Sequence, residues 1–210
     1  VFRILITAGP TREYFDPFRF ISNPSTGRRG IACARAARGK GWKVILITGP
    51  VMTPVPDDVL HVSVTSARRM REEVLKRFPR VGAVIMAAAV ADYRPERVFP
   101  RKLKKGKERH TLSLVRNPDI LGELGRLKDK QILVGFAAET DNDIDKPRQK
   151  LKSKNLDLLV FNNIAAAGSG FGTDTNQVTV FSREGRYQSW PKLTKLDVAR
   201  RLIERIVDLK

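Results

Sequence analysis

The 210-residue sequence holds one cysteine, Cys33, so no disulfide can form within the chain. That usage fits a reducing compartment, and a cytoplasmic location is expected. Histidine is equally scarce. His61 and His110 are the two present, and they lack the spacing of a metal-ligand pair. The patterns C-x-x-C, H-E-x-x-H, Walker A and G-x-S-x-G do not occur. Their absence screens out the enzyme families those patterns mark. No G-x-G-x-x-G appears either, which counts against an ordinary nicotinamide oxidoreductase.

Long apolar runs are also lacking. The longest, Ala83–Ala91, is about half of the roughly 18 residues a membrane helix needs, and it ends at Asp92. No membrane partner is expected. There is no internal repeat and no low-complexity tract. The chain begins at Val1, within an apolar run and without methionine, as expected of a segment cut from something longer.

Positive charge, by contrast, is abundant. Forty Lys and Arg against 22 Asp and Glu give a formal net charge of +18. Such a surface suits nucleic acid, an anionic membrane or a polyphosphate. Most of the cations are dispersed, as on a solvated surface. One cluster is dense: Arg101, Lys102, Lys104, Lys105, Lys107 and Arg109, opposed by Glu108. No aromatic residues interleave with it, which argues against single-stranded nucleic acid as a partner. It lies between two readable elements and contains Gly106, which favours a mobile anion-binding flap over a tail.

Short apolar runs alternate with helical patterns. Strands are expected at Phe2–Thr7, Lys43–Thr48, His61–Val64, Ala83–Ala88, Thr111–Val115, Ile132–Ala137 and Leu156–Phe161. Helices are expected from Gly27 to Lys40, after a Ser66 cap to Phe78, from Pro118 with Asp119 in its first turn, from Asp145 to Lys154, and from Thr194 to Leu209. Gly9–Thr26 reads as a long polar loop, and Gln177–Phe181 with Arg186–Trp190 as a hairpin. The fold class is α/β: a doubly wound, mostly parallel, Rossmann-like sheet with a small antiparallel hairpin and a basic flap. Sites in such folds lie beyond the carboxyl ends of the strands.

Those strand ends carry the unusual sequence. Ser25-Thr26-Gly27-Arg28-Arg29-Gly30 opens a helix with small residues and two arginines. It suits a phosphate, or is a plain cap. Arg19 and Asn23 stand four apart before it; Arg can grip an anion bidentately, and Asn can orient an acyl group or shape a turn. Ala87-Ala88-Ala89-Val90-Ala91-Asp92 lets a ligand approach the backbone, and Asp92 can meet a metal, a ribose hydroxyl or only water. Asn117-Pro118-Asp119-Ile120 presents a helix start. Phe136 is a platform for a base or simply core, and Lys150 and Lys154, on one helical face, meet a polyphosphate or solvent.

Seven blocks, in order, resemble the phosphopantothenoylcysteine synthetases. They are I-T-A-G-P-T-R-E from Ile6, R-F-I-S-N-P-S-T-G from Arg19, A-A-A-V-A-D-Y-R-P from Ala87, K-L-K-K from Lys102, N-P-D-I-L from Asn117, V-G-F-A-A-E-T from Val134 and K-N-L-D from Lys154. The resemblance spans nearly the whole chain. It implies one ligase domain over residues 1–210, without the flavin-dependent decarboxylase domain that precedes it in many bacteria. The implied reaction joins 4′-phosphopantothenate to cysteine through an acyl-cytidylate formed from CTP, with Mg²⁺, in a homodimer with its site near the subunit interface. Asn23 and Lys102 are the implied catalytic residues, and Arg19, Asn23 and Ala88 the acyl-substrate contacts. Asp92, Lys102, Asn117, Pro118, Asp119, Ile120, Phe136, Lys150 and Lys154 are the implied nucleotide contacts, with Asp92 also a metal contact through the triphosphate.

Overall fold

A computed structural model of the chain describes residues 1–104, 106, 109–139, 145–163 and 175–210, with the backbone alone at Ala138, Glu139 and Asn163. Lys105, Lys107 and Glu108 of the basic cluster and Thr140 of the V-G-F-A-A-E-T block lie outside the described residues. The first half contains β1 (Arg3–Ala8), β2 (Arg12–Tyr14), β3 (Phe20–Ser22), α1 (Arg28–Gly39), β4 (Lys43–Thr48), β5 (Leu60–Ser63), α2 (Ala67–Arg77), β6 (Ala83–Met86) and β7 (Tyr93–Pro95). The second contains β8 (Leu114–Arg116), α3 (Ile120–Leu127), β9 (Ile132–Glu139), α4 (Asp145–Ser153), β10 (Leu158–Asn163), β11 (Thr175–Asn176), β12 (Val178–Ser182), β13 (Tyr187–Ser189), β14 (Leu193–Thr194) and α5 (Lys195–Val207).

Eight strands form one sheet in the order β13-β12-β10-β9-β6-β1-β4-β5. The six from β10 to β5 run parallel, and β12 and β13 add an antiparallel edge. This is the expected Rossmann-like architecture. The central strands are apolar throughout because both sheet faces are covered: Ile4, Leu5, Ile6, Val84 and Ile85 are fully buried. On one face α1 and α5 pack through Ala34, Ala37, Leu202 and Ile206. On the other lie α2, α3 and α4, with Met70, Val74, Leu124 and Leu151. A bidentate Arg71–Glu123 pair, at 2.6 and 2.7 Å, ties α2 to α3.

Two glycines set the position of α1. At Gly30 a Cβ would stand 2.5 Å from the Ala8 Cβ and 2.6 Å from the Thr7 carbonyl oxygen. The helix therefore lies against β1 more closely than any side chain permits. Gly27, just before the helix, has φ +78°, a left-handed conformation that costs other residues energy.

Three expectations need correction. The Gly9–Thr26 loop carries the β2–β3 antiparallel pair, with Arg12 opposite Ser22 and Tyr14 opposite Phe20. Its turn is written in side-chain chemistry: Asp16 Oδ1 accepts from the Phe18 and Arg19 N–H groups, both at 2.8 Å. Pro118 does not open a helix. Asp119 is the N-cap, accepting from the Gly122 N–H at 3.0 Å, and α3 starts at Ile120. The strand expected at Thr111–Val115 is shorter and displaced toward the C-terminus, at Leu114–Arg116, the stretch that pairs with Tyr93–Pro95.

Candidate functional site

The chain leaves β1 for β4 and β5 on one side, then returns to build β6, β9 and β10 on the other. The crevice beyond the carboxyl ends of β1 and β6 is the switch point at which doubly wound sheets bind ligands. A cleft of about 780 Å³ opens there. Its walls come from the loop before α1, the Met86–Tyr93 segment after β6, Arg116–Leu121, Phe136 on β9, Lys150 and Lys154, Asn162 on β10 and Lys195 on α5.

The strand exits are laced together. Ala89 N–H donates to the Gly9 carbonyl at 2.9 Å, and Thr11 N–H to the Ala89 carbonyl at 3.3 Å. Threonine hydroxyls brace the same segment: Thr7 accepts from Ala88 N–H at 3.2 Å and Thr11 from Ala91 N–H at 3.0 Å. Asn23 Nδ2 donates to the Ala89 and Val90 carbonyls at 3.4 and 3.2 Å. Asn117 Nδ2 donates to the Ala91 carbonyl at 2.8 Å, and its own N–H to the Asp92 carbonyl at 2.8 Å. The two asparagines thus hold the small-residue segment from both sides, which fixes a backbone surface against which a ligand can lie.

Among the described residues six cationic side chains line the cleft, Arg28, Arg29, Arg116, Lys150, Lys154 and Lys195, against the carboxylates Asp92 and Asp119. The balance favours a multiply charged anion. Asp119 is itself committed, since its Oδ1 is 3.0 Å from Lys154 Nζ. Burial pushes its pKa up, but the Gly122 N–H and the Lys154 ammonium outweigh that and hold it below the usual Asp value. Among the described residues no group of three or more His, Cys, Asp or Glu side chains could hold a metal ion. No described helix is long and apolar enough to cross a membrane. Cys33 is not a nucleophile, because burial pushes its thiol up to about 12.

The structure gathers Asn23, Ala88, Asp92, Asn117, Pro118, Asp119, Ile120, Phe136, Lys150 and Lys154 around this one cleft. Arg19 and Lys102 stand elsewhere, at the β2–β3 turn. Arg19 pairs with Asp16 at 3.1 Å and donates to the Leu103 carbonyl at 3.2 Å. Lys102 Nζ lies 5.2 Å above the Phe18 ring. The hub is the fully buried Asp16 carboxylate, which also accepts from the Leu103 N–H at 3.2 Å. Burial works to raise its pKa, yet three backbone N–H groups and Arg19 hold it below the ordinary Asp value. Asp16, Asn162 and Lys195 escape a sequence reading. The strand-end rule reaches Asn162 once β10 is extended to its true end; Lys195 comes from the far end of the chain with no local signal.

A doubly wound α/β sheet with a cationic cleft at its switch point has the form and charge that suit a phosphorylated or nucleotide-like anion. Comparison with known proteins narrows the class. Residues 2–209 match the family described as the DNA/pantothenate metabolism flavoprotein C-terminal domain, and the chain belongs to that family. It is 49% identical over 207 residues to the coenzyme A biosynthesis bifunctional protein CoaBC of Bacillus subtilis, covering 98% of this chain and 51% of that protein. Against CoaBC of Escherichia coli K12 it is 44% identical over 186 residues, 87% of this chain and 46% of that one. The chain thus spans about half the length of the curated relatives it matches. The crystal structure of the C-terminal domain of CoaBC superposes with a TM-score of 0.84 at 42% identity, covering 98% of this chain and 93% of that one. At 19% identity, a Cab2 mutant in complex with phosphopantothenate-cysteine shares the fold, with a TM-score of 0.77 over 99% of this chain and 87% of that one.

Proposed function

We propose that the chain is the phosphopantothenate–cysteine ligase part of a coenzyme A biosynthesis protein, cytoplasmic, and joined in its full-length form to a flavin-dependent decarboxylase domain. The observation that carries this is the cationic cleft at the switch point of a fold shared, at 42% identity, with the C-terminal domain of CoaBC. In this proposal the 4′-phosphopantothenate carboxylate attacks the α-phosphorus of CTP, and pyrophosphate leaves. The amine of cysteine then attacks the acyl carbon, and CMP leaves. A carboxylate is a poor acyl donor, and the cytidylate supplies the leaving group.

The assignments follow the chemistry of the cleft. The Asn117–Ile120 segment that leads into α3, with Phe136, Lys150 and Lys154, receives the nucleotide. Ala88 and Asn23, on the braced segment, receive the acyl substrate, with Asn23 orienting the acyl oxygen as cysteine attacks. Among the described residues Asp92 is the cleft carboxylate left to meet Mg²⁺, since Asp119 is engaged with Lys154. One carboxylate together with substrate phosphates is a common Mg²⁺ environment, and the ion would neutralise charge on the phosphates as the carboxylate attacks. Arg19 and Lys102 lie outside the cleft of a single copy, beside the exposed rings of Phe18 and Phe20. A homodimer formed near that turn is the arrangement that gives them a role, with Lys102 serving the activation step. The test is product formation. Phosphopantothenoylcysteine, and pyrophosphate beyond one equivalent per site, should appear only when CTP, 4′-phosphopantothenate and cysteine are all present. Product without a nucleotide, or none with all three, refutes the proposal.

A further inference from the structure

Arg29 sits where neither helix capping nor core packing explains it. It lies in the first turn of α1, where a cation opposes the helix dipole. Its guanidinium lies over the Phe136 ring, 5.1 Å from the centroid. With the Asn176 amide turned so that both its ends are satisfied, Arg29 Nη2 donates to the amide oxygen at 2.8 Å. Among the described residues no carboxylate pairs with Arg29, and the nearby Cys33 thiol is protonated. Burial holds the arginine below its ordinary pKa. A guanidinium drawn out of water without a counter-ion is costly to folding. That cost is offset when an anion arrives.

The anion's place is defined by what surrounds the side chain. Arg29 lines the cleft, on the same helix end as Ser25, Thr26 and Gly27. The N–H groups of that first turn have no partners within the helix and suit a phosphate. A guanidinium carries five N–H donors in a planar fork, and Asn176 takes one. One face of Phe136 is already taken by the guanidinium, so the ring works as a platform for a cation and not, on that face, for a base.

Given that the cleft takes a nucleoside triphosphate, we propose that Arg29 is the side chain that receives its polyphosphate, and that Phe136 and Asn176 are positioning residues that aim it. This assigns to α1 a nucleotide contact that the seven sequence blocks do not single out, and it changes the role of Phe136 from stacking a base to carrying an arginine.

The test uses the whole chain and inorganic tripolyphosphate, with cytidine as the base-only probe, both by calorimetry. R29M should weaken tripolyphosphate binding about tenfold to a hundredfold, the loss of one bidentate charge-assisted contact. Cytidine binding should not change. F136L should weaken tripolyphosphate about three- to tenfold. The double variant should bind no more weakly than R29M alone, because the ring acts through the arginine. The melting temperature of R29M should equal or exceed that of the wild type, since an apolar side chain of similar length replaces a cation that has no carboxylate partner among the described residues. A merely structural Arg29 predicts the opposite: a lower melting temperature with binding intact.

Wild-type tripolyphosphate binding by R29M overturns the proposal. So does an equal loss for cytidine, or full additivity with F136L. If R29M does not fold, R29K carries the test: it keeps the charge and loses the fork, and a threefold or greater loss supports the proposal while unchanged binding overturns it. A chain that binds tripolyphosphate through Arg29 but makes no phosphopantothenoylcysteine sinks the ligase assignment and leaves this one standing. Ligation by R29M at the wild-type CTP requirement does the reverse.

Discussion

Lys154→Gln should weaken CTP binding by more than the loss of one contact. Lys154 Nζ stands 3.0 Å from Asp119 Oδ1, with the two side chains 26% and 55% exposed. The same oxygen caps α3 through Gly122. Removing the ammonium leaves the carboxylate in place, because the cap still holds it. It also leaves it ionised, because the Gly122 N–H favours the charged form. The variant therefore loses a charge-assisted contact, about 1.5–3 kcal/mol. It also uncovers a negative charge beside the triphosphate, roughly 1 kcal/mol more at this partial exposure. Together these amount to a rise of about two to three factors of ten in the CTP dissociation constant. Folding changes less, by under about 1 kcal/mol, since the pair is partly solvated. Asp119→Asn keeps the cap and releases Lys154, so CTP should bind as well as in the wild type or a few-fold tighter. The double variant should recover part of the loss. Calorimetry on the four proteins at one fixed salt concentration reads all of this. Unchanged CTP affinity in Lys154→Gln refutes the reasoning and returns the lysine to the solvated surface. A loss in Asp119→Asn as large as in Lys154→Gln shows instead that the carboxylate itself touches the nucleotide.

Asn23→Asp turns a carboxylate toward the Ala89 and Val90 carbonyls and, under the proposed assignment, removes a donor from the acyl oxygen. Cysteine attack should slow about 100- to 1,000-fold while part of the CTP activation survives, so acyl-cytidylate should accumulate in mass spectra; full-rate ligation rules the assignment out. Gly30→Ala forces a Cβ into the Ala8 side chain and the Thr7 carbonyl. It should cost roughly 1–3 kcal/mol, read as a drop in Tm of about 2–4 °C per kcal/mol; an unchanged Tm means α1 does not rest on β1 as described. Asp16→Ala should release the Phe18, Arg19 and Leu103 amides to hydrogen exchange while the sheet stays protected. In the wild type, a carboxylate held below its ordinary pKa of 3.8 stabilises the turn above that value and stops doing so as pH falls through its lowered one, so protection of the three amides should persist at pH 5 and fail below 3.8.

The sheet was legible because its signals are local and redundant. Lys43–Thr48 is an apolar run bounded by Gly41 and Gly49, and it forms β4 over those same residues. Ser66 caps α2 as its position suggests, accepting from the Arg69 N–H at 3.4 Å. The β2–β3 pair was not legible. Each strand is three residues long, too short for a period-two pattern, and the turn depends on Asp16 meeting Leu103, 87 residues away. Most of the cleft was foreseeable from the strand-end rule, which points to the residues after Thr7, Ala88 and Ala137. Its fine chemistry was not. Sequence places Lys154 and Asp119 separately among charges and cannot show that they neutralise each other. Nor does it show that Arg29 lies on Phe136, since that contact joins α1 to β9 across more than a hundred residues. Arg19 and Lys102 carry the matching motifs yet stand at the β2–β3 turn, because Asp16 and Phe18 hold them there.

The order of bond changes can be read directly with 4′-phosphopantothenate labelled with ¹⁸O in both carboxylate oxygens. If the carboxylate attacks the α-phosphorus of CTP and cysteine then attacks the acyl carbon, one labelled oxygen stays on phosphorus. The CMP formed in a complete turnover should be about two mass units heavier, and the pyrophosphate should carry no label. Unlabelled CMP with the ¹⁸O in pyrophosphate would place the attack at the β-phosphorus, and CDP with the ¹⁸O in inorganic phosphate would place it at the γ-phosphorus; either contradicts the acyl-cytidylate route.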